Sequence, residues 1–171
     1  MKLRNILVLL FLLHFSCKKE EKITDPLFLL MSTADTGIDF KNDLVYTEKV
    51  NPYTFRNFYN GAGVALGDLN NDGLTDIFLA GNQTSNRLYL NQGEFSFQDV
   101  SEEAGILAAD KWCTGGVVVD INQDGWSDIY VAAAMKKGPG ERNNLLFVNQ
   151  SFIRRDCKYG AIEFYGHSST A

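Results

Sequence analysis

Histidine, cysteine and clustered positive charge are all scarce in this chain. Its 171 residues include two histidines, His14 and His167, and three cysteines, Cys17, Cys113 and Cys157. One histidine lies in an N-terminal apolar stretch and the other almost at the end, so a catalytic Cys–His pair has no support. The 16 Lys and Arg stand against 21 Asp and Glu, a formal net charge of −5. Nothing points to a nucleic-acid partner, which needs clustered Lys and Arg. The apolar run from Ile6 to Phe15 is ten residues long, well short of the roughly 20 that span a bilayer as a helix. Low-complexity and heptad patterns are missing, and helix signals are weak; Ser101 to Ala109 reads as one short turn.

What the chain does have is one short pattern written twice. Asp68-Leu69-Asn70-Asn71-Asp72-Gly73-Leu74-Thr75-Asp76 leads into Ile77-Phe78-Leu79-Ala80, and Asp120-Ile121-Asn122-Gln123-Asp124-Gly125-Trp126-Ser127-Asp128 leads into Ile129-Tyr130-Val131-Ala132. The two lie 52 residues apart, and every acidic position shares that offset. An internal period of this size signals a propeller or another repeat array.

The spacing suits a hard cation. Calcium takes roughly six to eight oxygens at about 2.3–2.6 Å, and alternate positions of a tight loop aim side chains inward while Gly takes the sharp turn. The candidate ligands are Asp68, Asn70, Asp72 and Asp76 in the first loop and Asp120, Asn122, Asp124 and Asp128 in the second, with the Leu74 and Trp126 carbonyls as further oxygens. Two Ca²⁺ sites are therefore expected. No His or Cys lies within either loop, which disfavours zinc and copper. An EF-hand would need an acidic residue at position twelve and a helix after it; Leu79 and Val131 stand there, each within a β-type run. Asp-Asn-Gly loops also make good hairpin turns without metal, but the same ligand types recur at all four positions of both copies.

The repeat extends past the loops. Asn86-Arg87-Leu88-Tyr89-Leu90-Asn91-Gln92 matches Asn144-Leu145-Leu146-Phe147-Val148-Asn149-Gln150, the extra length falling in the polar Gly/Pro loop at 135–142, where insertion is cheap. Phe95 to Val100 alternates like a half-exposed strand. Each unit then carries about four strands, the content of one propeller blade. The expected fold is all-β: two blades plus the start of a third, each a four-stranded antiparallel sheet with a metal-binding hairpin loop. Phe28 to Met31 with Thr36 to Phe40 is expected to add a strand or two before them.

On these motifs, and on Arg56-Asn57-Phe58-Tyr59-Asn60-Gly61-Ala62-Gly63-Val64-Ala65-Leu66-Gly67-Asp68, the chain resembles the FG-GAP/VCBS repeat proteins, whose calcium-loop blades build integrin α-chain propellers and many secreted bacterial proteins. It is similar in particular to Bacteroidota-type surface lipoproteins of the cartilage acidic protein group, which often carry an ASPIC/UnbV module. The resemblance covers Phe28 to Ala171 and implies calcium at the eight Asp and Asn positions above. Asn at the third loop position, where many members have Asp, implies weaker affinity.

Lys2 and Arg4 before the apolar run read as an export signal, and Ser16-Cys17 resembles a lipobox, with His14 where Leu is usual. Cys17 is the expected lipidation site, and the protein is expected at the outer membrane or cell surface of a Gram-negative bacterium. The expected organisation is signal peptide and lipobox 1–17, tether 18–27, lead-in 28–60, first repeat 61–108, second repeat 109–160, and the start of a truncated third at 161–171. A chain of two blades and a fragment is expected to leave apolar residues around Val117–Val119 and Ile129–Val131 without a neighbour. Cys113 and Cys157 would be able to pair in an exported protein, but two small buried or partly buried thiols is the preferred reading.

Two function classes stay open. The first is a non-catalytic surface module, tethered to the membrane by lipid and binding a glycan or a cell-surface protein. The alternative is the N-terminal part of a propeller-type polysaccharide-degrading enzyme. Tyr53, Arg56 and Tyr59 are the residues a sugar platform would use, although aromatic residues at such a place more often pack.

Overall fold

The computed structural model describes residues 26–109, 111–135, 143–150 and 164–168. The expected signal peptide, its Cys17 and most of the tether lie outside these residues, as does Cys157. Residues 26–30 fall in an N-terminal unit, with Leu27, Phe28, Leu29 and Leu30 exposed; the second unit starts at Met31.

Among its described residues the second unit has eight strands: β1 (Val64–Gly67), β2 (Asp76–Leu79), β3 (Arg87–Asn91), β4 (Phe97–Asp99), β5 (Trp112–Val119), β6 (Asp128–Met135), β7 (Leu145–Asn149) and β8 (Phe164–Ser168). They form two antiparallel four-stranded sheets in the orders β1-β2-β3-β4 and β5-β6-β7-β8. Each is a meander of the kind that makes a propeller blade. The duplicated loops join the first two strands of each sheet at the same register step, Gly67 opposite Asp76 and Val119 opposite Asp128.

Side chains alternate across a strand, so each sheet has two faces. Ala65, Phe78 and Leu88 stand side by side in the first sheet, and Ile129 and Phe147 do so in the second. With Leu90, Cys113, Val131 and Leu145 they form one buried cluster. By the repeat, Val117, Tyr130, Leu146 and Val148 are the second sheet's counterparts of Ala65, Phe78, Leu88 and Leu90. Those four point away from the cluster, and Val117 and Tyr130 are exposed. The units thus stack head to tail, each presenting one face of the repeat to the opposite face of the next. Val118, Ile129 and Val131 were expected among residues lacking a neighbour; the alternation instead turns them into the shared core.

The two sheets approach closely at Gly63 and Gly115. A Cβ added to Gly63 would overlap the Gly115 Cα, whereas one added to Gly115 would meet nothing within 4 Å. Close backbone approach of this kind requires glycine on the crowded side.

The lead-in strands do not form. Ser32 caps a short helix, α1 (Thr33–Thr36), by accepting from the Asp35 amide, and Gly37 ends it at φ 77°. Ile38, Phe40, Asn42 and Leu44 are partly buried in alternation, but side chains replace the ladder a strand needs. Asn42 and Asn82 exchange two hydrogen bonds, at 2.7 and 2.9 Å, and the Val45 amide donates to Gln83. Strand β4 is also shorter than the Phe95–Val100 alternation, because Gly93, Glu94 and Phe95 all take positive φ in a turn. Phe164–Ser168 lies in the stretch that the sequence aligns with the start of a third repeat. Here it pairs with β7 from Leu145 to Asn149, taking the outer place in the second sheet that β4 holds in the first.

Candidate metal centre

The two loops fold by the same set of hydrogen bonds. In the first, Asp68 accepts from the Asp72 amide at 3.2 Å and the Gly73 amide at 2.8 Å. Asn70 accepts from the Asp72 amide and donates to the Asp72 carboxylate, and Asp72 accepts from the Leu74 amide at 2.7 Å. In the second loop Asp120 accepts from Asp124 and Gly125, Asn122 bonds both ends of Asp124, and Asp124 accepts from Trp126. Asn71 and Gln123 sit at φ 57° and 59°, Gly73 and Gly125 at φ 84° and 88°. That pair of left-handed residues bends the chain back over its own carboxylates.

Position nine differs from the others. Asp76 and Asp128 are fully buried and bond outside the loop's tip. Asp76 accepts from the Leu69 amide and from the Asn91 amide, both at 2.9 Å; Asp128 accepts from Ile121 at 3.0 Å and Asn149 at 2.8 Å. Each carboxylate therefore ties the start of its loop to the end of the third strand. Burial pushes the Asp76 carboxyl above its usual range, the Asn91 and Leu69 amides pull it back, and the Asp72 and Asp68 charges add to the rise.

Hydrogen bonds link the first, third and fifth positions of each loop, while Asp76 and Asp128 bond elsewhere; Leu74 and Trp126, expected to offer carbonyls, take part here through their amides. Among the described residues no group of three or more His, Cys, Asp or Glu side chains stands ready to hold a metal. Asp68, Asn70 and Asp72 are turned to the loop amides, and Asp76 is tied down behind them. The donor chemistry still fits a hard cation: three carboxylates and an amide oxygen per loop, with the like charge of Asp68 and Asp72 felt at Asp76.

Sequence reasoning singled out the Asn-x-Leu-Tyr/Phe-x-Asn-Gln strand but did not give it a role. Its two asparagines close both ends of the third strand. Asn86 and Asn144 accept from the Gly81 and Ala133 amides, both at 3.0 Å, and Asn91 and Asn149 lend their amides to Asp76 and Asp128. The recurrence at both ends was the available signal. Phe58, before the first repeat, and Trp112, in the second, are buried with ring centroids 5.7 Å apart; Tyr53 and Tyr59 are exposed, Tyr59 with its ring edge-on to Phe58 at 4.8 Å. Cys113 is buried; its candidate partner Cys157 lies outside the described residues.

Comparison with known proteins agrees with this geometry. Residues 68–131, from the first loop to the strand after the second, match the FG-GAP-like repeat family model. Over those residues the chain is similar to FG-GAP-like repeats. It is also similar to cartilage acidic protein 1 of Xenopus tropicalis, 29% identical over 98 residues, which cover 57% of this chain and 14% of that protein. The matched region is thus a small part of that relative's length. The match takes in both loops whole and runs into β6 as far as Val131.

Proposed function

We propose that the FG-GAP-like repeats form a calcium-stiffened, non-catalytic binding module, exported and held at the cell surface through lipid on Cys17, that takes a glycan or a protein partner. The observation that carries the reading is the duplicated loop: two sets of Asp, Asn, Asp and Asp, folded by matching hydrogen bonds and flanked by buried strands. Asp68, Asn70, Asp72 and Asp76, with Asp120, Asn122, Asp124 and Asp128, would hold the ions, and the Leu74 and Trp126 carbonyls would add to the shell. Bound calcium would supply the positive charge that the loop amides now supply only in part. This chain's own residues set the hairpins in place, so that loops at the sheet ends are presented rigidly.

The test uses the full chain against an array of surface polysaccharides and glycopeptides, with calcium and with chelator. Calcium-dependent retention without turnover of the bound sugar supports the module; release of shortened sugar chains would instead make it an enzyme. Membrane fractionation of wild type and Cys17→Ala tests the anchor, because removing the acyl chains removes the attachment.

A further inference from the structure

The two loops are joined by buried hydrogen bonds that cross between the sheets. Asn149, at the end of β7, donates from Nδ2 to the Leu69 carbonyl at 2.8 Å and to the Ser127 carbonyl at 3.1 Å. Its backbone amide donates to Asp128, and the Leu69 amide donates to Asp76. Asp76, Leu69, Asn149 and Asp128 are all buried, so a continuous chain of bonds runs from one loop's carboxylate to the other's. A second link lies at the tips, where Asn71 donates to the Gly125 carbonyl at 3.0 Å. Asn91, the repeat counterpart of Asn149, bonds through its side chain to Thr75 and Gly93 within its own sheet.

We propose that Asn149 is a positioning residue that couples the two loops, so that ordering either one orders the other. Leu69 and Asn149 have little room to shift independently in a close-packed interior, and a rearrangement of one loop must move the carbonyl or amide that the other depends on. Applied to the calcium reading, on which this part rests, the coupling makes binding at the two loops positively cooperative, since an ion that orders one loop lowers the ordering needed at the next.

The experiment follows amide hydrogen exchange by NMR in the full chain under chelator, where no ion is needed for a result. Asp120→Ala removes the carboxylate that accepts from two amides of the second loop. Coupling predicts that exchange at Leu69, Asp72 and Gly73, in the first loop, rises by about fivefold or more. It also predicts that in an Asn149→Ala background Asp120→Ala no longer changes those rates. Asn71→Ala, at an exposed side chain, is the milder variant and should weaken the response without abolishing it. First-loop rates unmoved by Asp120→Ala, or moved equally with and without Asn149, would overturn the proposal. A calcium arm separates the two readings: ions that slow exchange in neither loop defeat calcium binding, while the chelated arm decides the coupling by itself.

Discussion

Asn149 reaches the Leu69 carbonyl across the sheet boundary, 80 residues away in sequence, while its counterpart Asn91 stays within its own sheet. Two copies of one motif thus do different work according to what packs beside them. The residue that ends β7 belongs to both loops: its backbone amide serves Asp128, and its Nδ2 serves the Leu69 segment that serves Asp76.

Asn149→Ala should therefore cost more than Asn91→Ala. The first leaves two buried or partly buried carbonyls without this donor, a loss of about 1–3 kcal/mol. The second removes bonds that are exposed or half-exposed and should cost about 1 kcal/mol or less. Urea unfolding of the two variants under chelator checks the order; equal losses would contradict it.

Gly63 and Gly115 give a sharper contrast between residues that face each other. Gly63→Ala drives a methyl into the Gly115 backbone and should destabilise by about 1–3 kcal/mol, as overpacking does. Gly115→Ala, with open space at its Cβ, should leave stability within about 1 kcal/mol of wild type. Thermal unfolding of both variants side by side reads the difference directly.

These features divide by how far they were legible in the sequence. Ligand spacing, β-type flanks and the Asn-x-Leu motif are local patterns, and the loops, hairpins and four-strand sheets follow from them. The Phe28–Phe40 region was misread because apolar alternation describes which side is buried and not whether a ladder partner exists; Ser32 and Gly37 decide the local conformation there. Placing Phe164–Ser168 beside β7 required knowing which backbone edge lay open. The Asn149–Leu69 bond joins two repeats, and matching one repeat to the other carries no information about their stacking. The role of Asp76 and Asp128 as straps was hidden for the same reason: their partners Asn91 and Asn149 come from the third strand.

Asp76 also sets a pH dependence. Its carboxyl is raised in the folded protein, chiefly by burial, so folding favours the protonated form. The stability this group contributes is present in full below its unfolded value, near 3.8, and is lost as pH rises through the folded value. Under chelator, wild type should therefore gain on Asp76→Asn as pH falls from neutral towards about 4. Calcium, which binds the ionised form, should weaken or reverse that trend. A stability difference between the two proteins that does not change with pH would argue against a raised carboxyl at this position.

The central claim is that each loop holds a calcium ion in the folded protein. Calorimetric titration of Ca²⁺ into the chelator-treated full chain tests it most directly, with the melting temperature followed in parallel. Two ions bound per chain are expected, with a melting temperature that climbs as free calcium rises, because a ligand that binds only the folded state stabilises it by mass action. Asp68→Asn and Asp120→Asn should each weaken the binding at one loop. No heat of binding, and a melting temperature identical in calcium and in chelator, would contradict the account.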